Sequence, residues 1–233
     1  MPTTDDRVRD VIAALERKGT KKNRDAMARY AIVAEQAFGV AVGDLRTMGR
    51  ELGRDHALAL GLWDTGWYEA RMLACFVDEP ARVTVGQMDR WCRDFDNWAI
   101  CDHACFHLFD RTPHAFGRIA AWSKRRGEFE RRAAFALLAS VAGHDKQAPD
   151  AAFLATLPLV GKAALDERNF VKKGVSWALR GIGHRNLPLH RAAVALAQEL
   201  AASPDASARW VGKDTLRDLS RPLVAKKVAR KSA

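Results

Sequence analysis

The chain has 233 residues, 48% of them hydrophobic, which is enough for a large buried core in one domain. Its 38 Lys and Arg against 28 Asp and Glu give a net charge of +10, and no stretch approaches the roughly 18 apolar residues of a membrane span, which argues against a membrane-spanning protein. Taking away the four cations of the acid-free last twelve residues lowers the net charge from +10 to +6, so the body itself is basic and suits a polyanionic partner, nucleic acid being the commonest.

Met1 to Asp10 is charged and lacks an apolar signal region. With Cys75, Cys92, Cys101 and Cys105 read as free thiols, the expectation is a cytoplasmic protein. Strand signals are scarce and helical periodicity is widespread, so the chain reads as all-α. Asp5 to Gly19 is amphipathic through Val8, Val11, Ile12 and Leu15 and stops at Gly19. A second helix is expected over about Asn23 to Phe38, then a turn at Gly39 to Gly43, then a helix capped by Asp44 that carries Leu45, Met48 and Leu52. Further helices are expected at about 55–63, 67–77, 85–94, 98–109, 113–124, 128–141, 150–157, 166–181, 189–202 and 207–219, with Thr84 capping the one that begins at Val85. Residues 1–221 are expected to form a single domain of helical repeats, and 222–233 a basic, disordered tail.

A repeat runs through these helices. Tyr68, Trp98, Phe129, Phe170 and Trp210 stand near the starts of alternate helices, 30, 31, 41 and 40 residues apart. Three residues after four of them comes a cation: Arg71, Arg132, Lys173 and Lys213. The unit is a helix pair whose second helix opens on an aromatic and carries a base one turn in, and stacked pairs form a solenoid with a stripe of cations along one surface. The unit of Trp98 breaks the rule, because Cys101 stands at +3 and Asp102 at +4. Asp102 is the one formal charge between Trp98 and Phe109, and it shares a helix face with Trp98. An isolated carboxylate weakens binding to a polyanion, but it suits the stabilisation of a developing positive charge. The alternative is that Trp98 is core and Asp102 only bonds backbone groups or a nearby Arg. The i, i+4 pairs Cys101/Cys105 and His103/His107 have no second ligand pair at zinc spacing and read as packing, so no metal is expected.

Several blocks resemble the AlkD-type DNA alkylation-repair glycosylases, which are built from HEAT-like repeats. They are Gly39-Val40 with Asp44-Leu45-Arg46, Leu62-Trp63 through Trp67-Tyr68-Glu69-Ala70-Arg71, Asp96-Asn97-Trp98 with Asp102, Glu130-Arg131-Arg132-Ala133, and Asn169 through Arg180. Together they span about residues 25 to 219. The resemblance implies a right-handed solenoid of antiparallel helix pairs, curved, with a basic concave face. It implies excision of cationic N3- or N7-alkylated purines from double-stranded DNA without flipping the base into a pocket. A monomer that uses no cofactor is expected. Trp98 and Trp177 would frame the damaged nucleotide, with Asp102 near the anomeric carbon. Arg132 would contact phosphate, with Arg131 beside it, and Tyr30 would lie near the DNA. Lys172, Lys173, Arg71 and Lys213 are the further expected DNA contacts. Trp177 alone reads equally well as core. Neither a helix-hairpin-helix glycine motif nor a P-loop nor a lyase lysine site stands in the sequence, so no lyase step is expected. A non-catalytic binder of bent or branched DNA is the alternative on the same fold.

Overall fold

The computed structural model describes residues 2–232, with the backbone alone for Lys231 and Ser232. All regular elements among the described residues are helical, and none of these helices is long and apolar enough to cross a membrane. The chain forms two compact units, one ending at Thr112 and one beginning at Pro113.

The first unit contains α1 (Thr4–Lys18), α2 (Lys21–Met27), α3 (Val42–Leu52), α4 (His56–Asp64), α5 (Tyr68–Val77), α6 (Val85–Arg93) and α7 (Trp98–His107). Caps set the boundaries. Thr3 and Asp6 form a capping box at α1, and Thr20, Asp55, Thr84 and Asn97 accept first-turn N–H groups of α2, α4, α6 and α7. Asp44 lies in the first turn of α3, whose cap position is Ala41, rather than at the cap. The helices pair α4 with α5, and α5 also lies against α3 and α7. Trp63 of α4 and Trp91 of α6 stack at 3.9 Å and 2°, fully buried, which joins neighbouring first helices. Such a pair adds about 0.5–1.5 kcal/mol beyond its buried area.

The helix expected over 23–38 ends early. After Met27 the chain makes a 3₁₀ turn, Ala28–Tyr30, and Ala31 is left-handed at φ 53°. Residues 31–41 then run as an irregular segment. A carboxylate holds the far end of that segment: Glu69 of α5, fully buried, accepts the N–H groups of Phe38, Gly39 and Val40 at 2.9, 2.6 and 3.1 Å. Those N–H groups are therefore satisfied outside a helix. Gly39 is obligatory at this point, with φ +84° and a Cβ that would stand 2.3 Å from the Thr20 carbonyl oxygen.

The second unit contains α8 (Ala115–Trp122), α9 (Glu128–His144), α10 (Asp150–Leu154), α11 (Leu157–Ala163), α12 (Asn169–Gly183), α13 (Leu187–Ala201), α14 (Ala206–Leu219) and α15 (Pro222–Ser232). The second helices α9, α12 and α14 lie side by side, with α8 on α9, α11 on α12 and α13 on α14. Ala133 to Ala142 of α9 are buried on every side, as in a central helix. Small residues allow the close crossings. A Cβ at Gly212 would sit 2.3 Å from the backbone nitrogen of Ala201, so α14 meets α13 backbone to side-chainless backbone. Two segments depart from expectation. The helix expected at 150–157 is two short helices, broken where the Thr156 hydroxyl donates to the Phe153 carbonyl and Pro158 opens α11. Residues 222–232, expected as a disordered tail, are helical, and Val224 and Val228, one turn apart, are buried.

Candidate nucleic-acid interface

In the first unit the expected site residues gather at the start of α7. The Asn97 side-chain oxygen accepts the N–H groups of Ala99 and Ile100 at 3.0 and 3.1 Å, which fixes the helix start and the exit direction of Trp98. The same side chain donates to Asp96 at 2.7 Å and to the Val33 carbonyl at 3.5 Å. The Trp98 indole N–H donates to the Tyr30 carbonyl at 2.9 Å. Its polar edge is thus satisfied while the ring stays half-buried. Tyr30 itself is 68% exposed. The 30–40 segment is therefore latched to the N-terminal ends of α5 and α7 by Trp98, Asn97 and Glu69, and by the Tyr68 N–H, which donates to the Gln36 carbonyl. Phe38 stacks on Trp67 at 3.9 Å in the same segment.

Asp102 lies one turn beyond Trp98 and is half-buried, between the buried Cys101 and His103. All four cysteines are buried free thiols. Burial, the neighbouring Cys101 and the charge of Asp102 hold the Cys105 thiol well above its ordinary range, so it stays protonated. His103 packs edge-on against Phe76 at 4.6 Å, and its Nε2 faces the Met72 carbonyl at 3.0 Å, which makes that nitrogen the donor. Burial first, and His107 next, push His103 down to about 3, so it is neutral core.

Arg71 is a bracket. Its guanidinium donates to the carbonyls of Trp63 and Asp94 at 3.5 and 3.3 Å and lies over the Trp63 ring at 5.3 Å. It also borders a polar cavity of about 220 Å³ together with Glu35, Gln36, Tyr68 and Asp96. Burial, then the charges of Glu69 and Asp96, raise the Tyr68 hydroxyl well above its usual range.

In the second unit the expected cations divide by exposure. Lys173 on α12 and Lys213 on α14 are exposed. Lys172 is half-buried with its ammonium 5.4 Å from the centre of the Trp210 ring. Arg132 is 6% exposed, its stem against Gly174 and its Nη1 donating to the Phe170 carbonyl at 2.7 Å. Arg131 pairs with Asp166 at 2.8 Å, and Asp166 is also gripped by Arg168 through two bonds at 2.8 and 2.6 Å. These arginines, with Arg168 first, hold the Asp166 carboxyl down at about 2. Trp177 is half-buried one turn beyond Lys173. Beside it, the Ser176 hydroxyl donates to Asp214 at 2.6 Å. The repeat aromatics meet between neighbouring second helices, Phe129 and Phe170 at 5.3 Å.

Glu69 escaped the sequence reading as a structural residue. Its signal was present: like Asp102 it is an acid in a mostly apolar helix, and here that pattern marks a backbone clamp. The grip of Arg131 and Arg168 on Asp166 left no comparable sign.

A comparison with curated proteins finds no match. Among solved structures, the chain is similar to a member of a new family of proteins related to the HEAT-like repeat DNA glycosylases with affinity for branched DNA structures. Identity is 19%, coverage 97% of this chain and 98% of that one, and the TM-score 0.76, so the two share a fold. A designed armadillo repeat protein in complex with a (KR)4 peptide is also found, at 14% identity, over 79% of this chain and 86% of that one, with a TM-score of 0.41. The model of one family, described as DNA alkylation repair enzyme, matches residues 11–219. The chain therefore has the all-helical architecture of HEAT-like repeats and belongs to the DNA alkylation repair enzyme family.

Proposed function

We propose that the protein is a monofunctional DNA glycosylase that excises cationic N3- or N7-alkylated purines from duplex DNA. The observation that carries this reading is the pair on α7: a half-buried carboxylate, Asp102, one helical turn from a half-buried indole, Trp98, in a basic chain of this family. In hydrolysis the C1′–N bond breaks and its electron pair goes to the purine, cancelling the positive charge left by alkylation. The base departs neutral and needs no acid. The sugar passes through an oxocarbenium-like state, as in glycoside hydrolysis. The Asp102 carboxylate stabilises that cation and orients the water that adds to C1′, while the water's second proton leaves to solvent. A fixed charge aimed at developing charge is often the largest catalytic term.

Trp98 and Trp177 favour the cationic nucleotide through their ring faces, by roughly 0.5–2 kcal/mol each. The Trp98 ring is preorganised for this, because its N–H is already bonded to the Tyr30 carbonyl. Lys173 and Lys213, exposed, and Lys172, parked on Trp210, are the cations best placed for phosphate. Arg71, Arg131 and Arg132 also belong to the DNA-binding set, and their bonds to backbone or to Asp166 make them positioning groups as well. We take the protein to act as a monomer, and its free thiols suit the reducing cytoplasm.

A second reading, a non-catalytic binder of branched DNA, is favoured by the fold shared with a protein related to the glycosylases that has affinity for branched DNA structures. Incubation with methylated duplex DNA separates the two. Release of 7-methylguanine or 3-methyladenine supports the glycosylase. Binding to duplex and to junctions with no base released, across both lesions, supports the binder.

A further inference from the structure

The second unit holds a cavity of about 220 Å³ between the end of α8, the first turn of α9 and α11. It is lined by Ser123, Lys124, Arg131, Leu159, Lys162 and Ala163. Three of these are cations and none is an acid. Leu159 and Ala163 give it an apolar wall, which strengthens any charge interaction inside.

Arg131 is held still at its rim. Its Nη1 is bound to Asp166, which Arg168 grips from the other side. Asp166 titrates only near 2, so the clasp is permanent at working pH. The Nε–H of Arg131 is buried and has no hydrogen-bond partner among the described residues, a donor with unused capacity. Arg168 also donates to the Arg126 carbonyl at 2.7 Å, which places further positive charge nearby.

The contrast with the arginine-lined cavity between α12 and α14 is informative. There Arg180, Arg217 and Arg221 face Asp214 and Asp218, which answer their charge. At the α8–α11 cavity, among the described residues, the carboxylate found against a lining cation is the Asp166 that Arg131 holds. Lys124 and Lys162 are exposed, and an anion seated between them would meet three cations from three elements.

We propose that this cavity is an anion site that takes a phosphate group, and that its occupant in the working complex is a backbone phosphate of DNA. The choice of DNA rests on the function proposed above; the phosphate chemistry does not. The test uses the whole chain and the variant Lys124→Ala/Lys162→Ala. Affinity for a labelled duplex is measured by anisotropy from about 50 to 200 mM salt, and inorganic phosphate is titrated separately in a thermal-shift assay. The expected result is a plot of log K against log salt shallower by about 0.9 in the variant, one phosphate's share, and a phosphate-induced stabilisation present in wild type and absent in the variant.

Phosphate protection lost in the variant with an unchanged salt slope keeps the anion site and overturns DNA as its occupant. An unchanged slope together with no phosphate effect in wild type overturns the proposal. Wild type that fails to bind duplex at any salt sinks the proposed function instead, and the phosphate arm then judges the cavity alone. Lys162→Gln, a single exposed change, repeats the comparison if the double variant does not fold.

Discussion

Replacing Glu69 by Gln tests whether the segment beside Trp98 is held from below. The carboxylate is fully buried and accepts three backbone N–H groups, two on Oε1 and one on Oε2. Glutamine keeps the shape and one acceptor oxygen. Its NH₂ group then faces a backbone N–H, so one charge-assisted bond becomes a donor against a donor and the others weaken. Bonds to a charged group contribute about 1.5–3 kcal/mol, and a stranded buried donor costs about 1–3 kcal/mol, so a loss of about 2–4 kcal/mol is expected. For a chain of this size that lowers the melting temperature by roughly 5–15 °C. Hydrogen exchange should locate the damage: the amides of Phe38, Gly39 and Val40 lose protection, and those of α13 do not. Excision should fall as well, because the Tyr30 carbonyl that holds the Trp98 indole belongs to the same segment. A variant that melts within about 1 °C of wild type with those three amides still protected would refute the clamp.

Gly212→Ala forces a Cβ to 2.3 Å from the Ala201 nitrogen and should destabilise by about 1–3 kcal/mol or more, read by urea titration; an unchanged midpoint means α13 and α14 are not in backbone contact. Asp166 has a folded pKa held below its ordinary 3.8 to about 2, so its contribution is fully present above the ordinary value and is lost as pH falls toward 2. Asp166→Asn should therefore lower stability at neutral pH and flatten the acid limb of a melting-temperature profile in that window. Lys173→Ala and Lys213→Ala should each make the salt dependence of DNA binding shallower by about 0.9 and leave the melting temperature alone, since both side chains are exposed. Arg132→Ala should instead destabilise by about 1–3 kcal/mol, because it takes away the donor that answers the Phe170 carbonyl.

Much of the architecture was legible from period and punctuation. The aromatics at Tyr68, Trp98, Phe129 and Phe170 stand in the first two positions of α5, α7, α9 and α12, as the repeat requires. Trp210 is the exception, entering α14 at its fifth residue. The irregular course of residues 31–38, expected as helix, was not legible, because the segment's far end is held by Glu69, some thirty residues on, which answers the N–H groups of Phe38, Gly39 and Val40. The helix at 222–232 escaped for a related reason: four cations and few apolar residues suggest solvation, yet Val224 and Val228 fall on one face and find a place to pack. At the candidate site, sequence spacing placed Trp98 and Asp102 on one side of α7 but gave no sign of the Tyr30 carbonyl that steadies the indole. The repeat cations were legible as residue types, while the division into exposed lysines and committed arginines came only with the partners Phe170, Asp166, Trp63 and Asp94.

The most direct measurement is the single-turnover rate of 7-methylguanine release by wild type and Asp102→Asn, at protein concentrations that saturate the DNA. The amide keeps the size and removes the charge, so the account predicts release by wild type and a fall of about two to three orders of magnitude in the variant, with duplex affinity unchanged or slightly higher. Equal rates in the two proteins would contradict it, and so would a wild type that binds the duplex fully and releases nothing.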